Sequence, residues 1–278
     1  MSFEGYELLR IEMRGRIVIA TIDNPPINLL TLPLFGELAR LSSELEADPD
    51  SLVFVLRSAN PEFYIAHFDV EAIIRFPVDE PASREDAADN SYHAMCERFR
   101  TMNKATIAQI EGRVGGGGSE LAMSFDMRFG VKGKSVVNQM EVPIGILPGG
   151  SGTQRMPRLI GRGRALEVIL GGIDLDAETG ERWGYFNRVF AAHEIGPYVD
   201  ALAARIASFP PEAVRLAKQA VNASDRPLAE GLQEESYLFQ CLLRTAEAQR
   251  NMPKFLAAGG QTREGELNVA ELSASVAK

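Results

Sequence analysis

Four consecutive glycines, Gly115 to Gly118, stand inside the stretch KATIAQIEGRVGGGGSELAMSF. TIAQIEG reads as a strand and SELAMSF as the start of a helix, so the chain must pass from one to the other through residues without a Cβ. Such a junction presents several unpaired backbone N–H groups at the positive end of a helix. Two readings follow, a tight structural turn or a site that receives an anion or a developing oxyanion. The nucleotide-binding versions of this device do not fit. A P-loop closes on Gly-Lys-Ser/Thr, whereas this chain continues Gly118-Ser119-Glu120, and the dinucleotide fingerprint needs GxGxxG within a βαβ unit. An acid at position 120 would repel phosphate.

Strands and helices alternate around this segment. Leu9, Ile11 and Met13 alternate with charged residues and are followed by RIVIATI, which predicts a β-hairpin. Thr31 and Pro33 give a helix start, and Leu34, Leu38, Leu41 and Leu45 follow at helical spacing. LVFVLRS, residues 52–58, reads as a buried strand, and Tyr92, Met95, Phe99 and Met102 as a helical stripe. From Gly150 the pattern is mainly helical, with Val199, Leu202 and Ile206 on one amphipathic helix and Leu232, Phe239, Leu242 and Ala246 on another. The chain beyond Leu256 looks loose. No repeat or Pro/Ser-rich linker divides it, so one α/β core with a helical C-terminal extension is expected.

The 278 residues can bury a large core, and 45% apolar with 24% charged residues suits an ordinary globular protein. A net charge of −9 argues against general nucleic-acid binding, which needs a basic face. Cys96 and Cys241 lack any zinc-type spacing, and His67, His93 and His193 lie far apart, so no metal site is expected. The opening MSFEGYELLRIEMRG has acids and no apolar leader core, and no segment is apolar enough to span a membrane. A cytoplasmic protein is the expectation.

Several stretches, in order, resemble the enoyl-CoA hydratase/isomerase (crotonase) family: NPPINLL, FYIAHFDV, KATIAQIEGRVGGGGSELAMSFDMRF and NQMEVPIGILPGGSGTQRMPRLIG. GERWGYFNRV and LAEGLQEESYLF resemble later helices of the family, so the similarity runs from about residue 8 to 256. It implies a crotonase-like spiral of β-β-α units forming two stacked sheets. Residues 1–200 would be the α/β core, 201–258 a helical region used in trimerisation, and 259–278 a polar tail. Assembly as a trimer or hexamer is implied, with an acyl-CoA substrate, no nucleic acid and no membrane. No cofactor is implied, because coenzyme A is part of the substrate.

The resemblance also assigns roles. The backbone N–H groups of Phe68 and Gly117 would form an oxyanion hole for the thioester carbonyl, and Glu120 and Glu141 would face the substrate's Cα and Cβ. Ala66, His67, Asp69, Gly116, Pro148 and Gly149 would contribute to substrate binding. Proton gain or loss beside a thioester builds negative charge on its oxygen, where one preorganised donor is worth about 3 to 4 kcal/mol. Two close glutamates do not both ionise readily, so one can stay protonated as acid while the other acts as base. Taken alone, either glutamate reads as a solvated surface charge; their places in two separate motifs reverse that.

The chain departs from the family in three places. Ala66-His67-Phe68-Asp69 stands where many relatives read Ala-Gly-Ala-Asp. The oxyanion donor is main chain and survives the change, and histidine would tolerate a left-handed backbone at 67 better than most residues. His67 is therefore read as shaping the loop, and Trp183 as a core or interface aromatic. Glu71 replaces a lysine that often holds CoA, with Arg75 one turn on to pair with it or take a phosphate, and LAAGG follows Phe255 where relatives are commonly basic. The loop from Pro77 to Asn90 is expected to border the acyl pocket. Reversible syn hydration of a 2-enoyl-CoA is the first reading. Double-bond isomerisation is second, and retention of Glu120 argues against it. Cleavage of a β-diketone without CoA is third, and a silent acyl-CoA-binding or assembly protein is the non-enzymatic alternative.

Overall fold

The computed structural model describes residues 3–79, 81, 83–85 and 88–277. β1 (Leu9–Arg14) and β2 (Ile17–Ile22) form the expected hairpin, turning at Gly15 with φ +59°. α1 (Leu32–Ala47) follows, and the Thr31 hydroxyl accepts the Leu34 N–H at its start. The chain then repeats one device. β3 (Val53–Ser58) is followed by β4 (Phe63–Ile65) and the helices α2 (Val70–Ile74) and α3 (Ser91–Thr101). β5 (Ala105–Ile110) is followed by β6 (Arg113–Gly115) and α4 (Gly116–Met123). β7 (Met127–Val131) is followed by β8 (Val136–Asn138), α5 (Gly152–Ile160) and α6 (Arg162–Gly171). β9 (Leu175–Asp176), α7 (Ala177–Trp183) and β10 (Arg188–Phe190) complete the spiral.

In each turn the first strand joins a six-stranded sheet, β1-β2-β3-β5-β7-β10, and the second joins a four-stranded sheet, β4-β6-β8-β9. Pairing in the large sheet is parallel beyond the hairpin, so each of its strands is joined to the next by a crossover connection. The large sheet is covered on both faces. Val18, Ala20, Phe54 and Leu56 point into one apolar core with α1 and α3, while Ile17, Ile19, Val53 and Val55 point into a second beneath α8 (Ile195–Ala207). This is why LVFVLRS is apolar without alternating. The two stacked sheets expected from the family resemblance are present.

Three details differ from the sequence expectation. The strand that runs into the glycines is β6 of the small sheet, not the one made by TIAQIEG. The boundary at 200/201 falls inside α8, whose Ile195, Val199 and Ala203 bury against the large sheet, so that helix belongs to the core. After α9 (Pro211–Asn222), α10 (Leu228–Leu243) and α11 (Ala246–Ala257), the segment expected to be loose forms α12 (Arg263–Leu267) and α13 (Val269–Val276), and Ala274 is buried there. Trp183 is half-buried against the core, with the Arg164 guanidinium 5.3 Å from its ring centre. No helix among the described residues is long and apolar enough to cross a membrane.

Candidate active site

The glycine run performs two tasks. Gly115 ends β6, and Gly116, at φ +46°, opens α4. A Cβ on Gly116 would lie 3.0 Å from Glu141 Oε1 and 3.1 Å from the His67 Cβ, so only glycine lets the helix start this close to both. One residue on, the position a Gly117 Cβ would take is 3.1 Å from the Phe68 Cβ, which brings the two expected oxyanion segments together. Phe68 forms a parallel bridge with Leu30, bounded by Leu30 N–H to the His67 carbonyl at 2.9 Å and Asp69 N–H to the Leu30 carbonyl at 3.1 Å. A residue between two such bonds directs its own N–H away from the bridge partner. The Gly117 N–H belongs to the first turn of α4, where no carbonyl lies four residues back within the helix. Tyr92, from α3, donates its hydroxyl to the Gly117 carbonyl at 2.5 Å and fixes that turn.

Both glutamates are buried, Glu120 on α4 at 3% exposure and Glu141 just before a short 3-10 turn at 8%. Glu120 Oε1 accepts the Gly152 N–H at 2.7 Å, so the first N–H of α5 holds its carboxyl. Burial pushes Glu120 up to about 7, further raised by the Glu141 charge and opposed by the Gly152 and Gly150 amides and Arg155. Burial also raises Glu141, opposed first by its own backbone N–H and then by His67. Desolvation, rather than repulsion between the carboxylates, is thus the main cause of the shift in each. Arg155 is itself paired with Glu97. Glu141 Oε2 is buried with no hydrogen-bond partner among the described residues.

A cavity of about 820 Å³ opens over this centre, and His67, Phe68, Gly117, Glu120, Glu141 and Gly149 all line it. The other expected binding residues do not. Asp69 caps α2 by accepting the Glu71 N–H, and Gly116 takes the Gln139 amide on its carbonyl. Ala66 lines a smaller cavity on the far side of His67, and Pro148 a separate one beside Arg155. Nor is His67 left-handed: among the described residues the non-glycine positions with positive φ are Asn28, Ser151 and Gln261, so the histidine needs no conformational tolerance there. Glu71 and Arg75 do pair, at 3.8 Å and almost fully exposed, which is worth little energetically. Of the 77–90 loop, Asn90 at its end borders the cavity, and residues 80, 82, 86 and 87 lie outside the described ones.

Some participants escaped the sequence reading. Tyr92 was assigned to a helical stripe, yet it packs edge-on to Phe68 at 6.0 Å and beside Phe35 at 5.7 Å on the cavity wall. The Gly150 and Gly152 amides act through backbone atoms that no residue type announces; the helix start after GGSG was the available signal. Among the described residues no three His, Cys, Asp or Glu side chains converge as metal ligands.

This arrangement can be set against known proteins. The profile of the enoyl-CoA hydratase/isomerase family matches residues 12–261. The chain belongs to that family. It is 31% identical over 253 residues to the Mycobacterium leprae protein named probable enoyl-CoA hydratase, covering 90% of this chain and 95% of that one. It is 30% identical to the short-chain-enoyl-CoA hydratase of Clostridium acetobutylicum, over 76% of this chain and 80% of that one. The crystal structure of enoyl-CoA hydratase from Bacillus anthracis superposes with a TM-score of 0.81 at 27% identity, covering 90% of this chain and 96% of the other. The spiral described above is the crotonase fold, and the chain is an enzyme of the crotonase family.

Proposed function

We propose that this enzyme adds water reversibly, in the syn sense, across the double bond of a 2-enoyl-CoA thioester. The observation that carries the proposal is the convergence of two buried carboxyls, Glu120 and Glu141, on one cavity beside the Phe68 and Gly117 amides. The thioester oxygen would accept both N–H groups. As one carboxylate takes a proton from water, the water oxygen bonds to Cβ, the double-bond electrons move to the thioester oxygen, and the other carboxyl protonates Cα. Such positioned groups contribute roughly 10²- to 10⁴-fold each, and an amide aimed at the enolate oxygen about 3 to 4 kcal/mol.

A carboxyl raised to about 7 populates both protonation states near neutrality, which suits a group that must give and receive protons. Isomerisation needs only one such carboxyl, and the care with which Gly152 holds the second favours hydration. Coenzyme A enters as part of the substrate, with no separate cofactor in the proposed step. The apolar residues Phe35, Val70, Ile73 and Ile146 around the cavity would take the acyl chain. The test is loss of the conjugated enoyl-thioester absorbance with a panel of 2-enoyl-CoA chain lengths, and identification of the 3-hydroxyacyl product. Absence of hydration at every length, with double-bond migration or diketone cleavage instead, would overturn the proposal.

A further inference from the structure

Glu120 is held by a segment with little stiffness of its own. Gly149, Gly150 and Gly152 bring wide backbone freedom, and Ser151 between them stands at φ +101°, which a residue bearing a side chain keeps only where its surroundings enforce it. The grip is nonetheless close. The Gly152 N–H donates to Glu120 Oε1 at 2.7 Å, and Glu120 Oε2 lies 2.4 Å from the point where a Gly150 Cβ would stand. The segment therefore has to be fixed from outside.

Two side chains do so. On α5, Arg155 Nε donates to the Ser151 hydroxyl at 2.8 Å. From α3, His93 places its Nε2 2.7 Å from the Gly149 carbonyl oxygen. A carbonyl can only accept, so Nε2 carries a hydrogen, in the neutral ring and the imidazolium alike. The Gly149 carbonyl and the Gly150 N–H share one planar trans peptide unit and point opposite ways. Holding the one aims the other, and the Gly150 amide is among the groups that favour the Glu120 carboxylate. His93 is exposed and lines a second cavity of about 600 Å³ beside Gly149 rather than the main one. It supports the segment from behind.

The preceding residue grips the other half of the site. Tyr92 donates its hydroxyl to the Gly117 carbonyl at 2.5 Å, and the Asn90 side chain fixes the turn they share by accepting the His93 N–H at 3.0 Å. We infer that this first turn of α3 is a clamp: His93 is a positioning residue for Glu120, acting through the Gly149–Gly152 segment, as Tyr92 is for the oxyanion turn, acting through Gly117. The role rests on the proposed hydration and extends it, because one helical turn then keeps the oxyanion donor and an acid-base carboxyl in a common frame. Its two arms are separable by substitution.

The test compares wild-type protein with His93→Ala, His93→Gln and Tyr92→Phe. Glutamine carries its amide nitrogen as many bonds from Cα as the imidazole carries Nε2, so it can restore the bond to Gly149. Two quantities are read: steady-state hydration of a 2-enoyl-CoA, and the infrared midpoint against pH of the protonated-carboxyl band that Glu120→Gln abolishes. His93→Ala should lower kcat by about tenfold with little change in KM. It should also raise the Glu120 midpoint by about half a pH unit, the equivalent of one weak hydrogen bond. Glu141 and Arg155, the charged groups that act on Glu120, stay in place. His93→Gln should return both quantities toward wild type, and Tyr92→Phe should lower kcat while leaving the midpoint where it was. A contact that served stability alone would move neither quantity in the folded enzyme. An unchanged Glu120 midpoint in folded His93→Ala would overturn the inference, as would glutamine behaving like alanine. A shifted midpoint in a protein that hydrates no 2-enoyl-CoA would support the clamp and refute the proposed function.

Discussion

Glu120 shows how much a single buried carboxyl can be asked to do. Folding withdraws it from water and raises it from the ordinary glutamate range to about 7, so the native state binds more protons than the unfolded chain between those two values. Stability must therefore fall as pH rises through that window, and the full cost is present above it. Glu120→Gln removes the charge while keeping the shape. At pH 8 the variant should be more stable than wild type by up to about 3 kcal/mol, with the gap closing by pH 4; urea denaturation at the two pH values checks this. Both glutamates were legible in the sequence only because each sits in a stretch that resembles the family; taken alone, either reads as a surface charge. The amides that hold Glu120 were not, since Gly150 and Gly152 contribute backbone N–H groups that any residue but proline owns. Tyr92 lies on α3 as its spacing predicts, but its place on the cavity wall was not legible, for a related reason. Helical spacing says which face of α3 is apolar, not that one member of the stripe borders a cavity.

At the scale of elements, long apolar segments were readable and short ones were not. The β1-β2 hairpin, α1 with its Thr31 cap, β3 and α3 each offer enough residues for a period to show. β4, β6 and β8 have three residues and β9 two, too few for any periodicity, and they hold their place through pairing in the small sheet. α4 begins inside the glycines, against their poor helix propensity, because packing on β4 and β6 outweighs a local preference. The start of α5 is the element boundary on which the site depends most. A Cβ on Gly150 would fall 2.4 Å from Glu120 Oε2 and 2.6 Å from the Tyr92 ring, so Gly150→Ala must displace the carboxyl, the tyrosine or the loop. Turnover should drop by about 10²-fold, the cost of misplacing a reacting group by about 1 Å. Far-ultraviolet circular dichroism should stay unchanged, and steady-state kinetics of the folded variant gives the answer.

For the molecule as a whole, the spiral supplies rigid supports and the C-terminal helices leave unfinished surface. Leu238 is the buried residue of α10, whereas Leu232 and Phe239 are 51% and 61% exposed and Leu228 and Tyr237 more so. A helix that shows so much apolar area in one chain is expected to bury it against another. Sedimentation at micromolar concentration should give a trimer or hexamer, and Phe239→Glu should shift the distribution toward smaller species. A monomeric wild type would remove the reason for that face. The central claim is that the fold brings two carboxyls to bear on one transition state. Its most direct measurement is hydration of a 2-enoyl-CoA by Glu120→Gln, Glu141→Gln and the double variant. Each single change should lower kcat by roughly 10²- to 10⁴-fold with little effect on binding, and the double variant should fall far less than the product of the two. Full hydration by Glu120→Gln alongside an inactive Glu141→Gln would contradict the account.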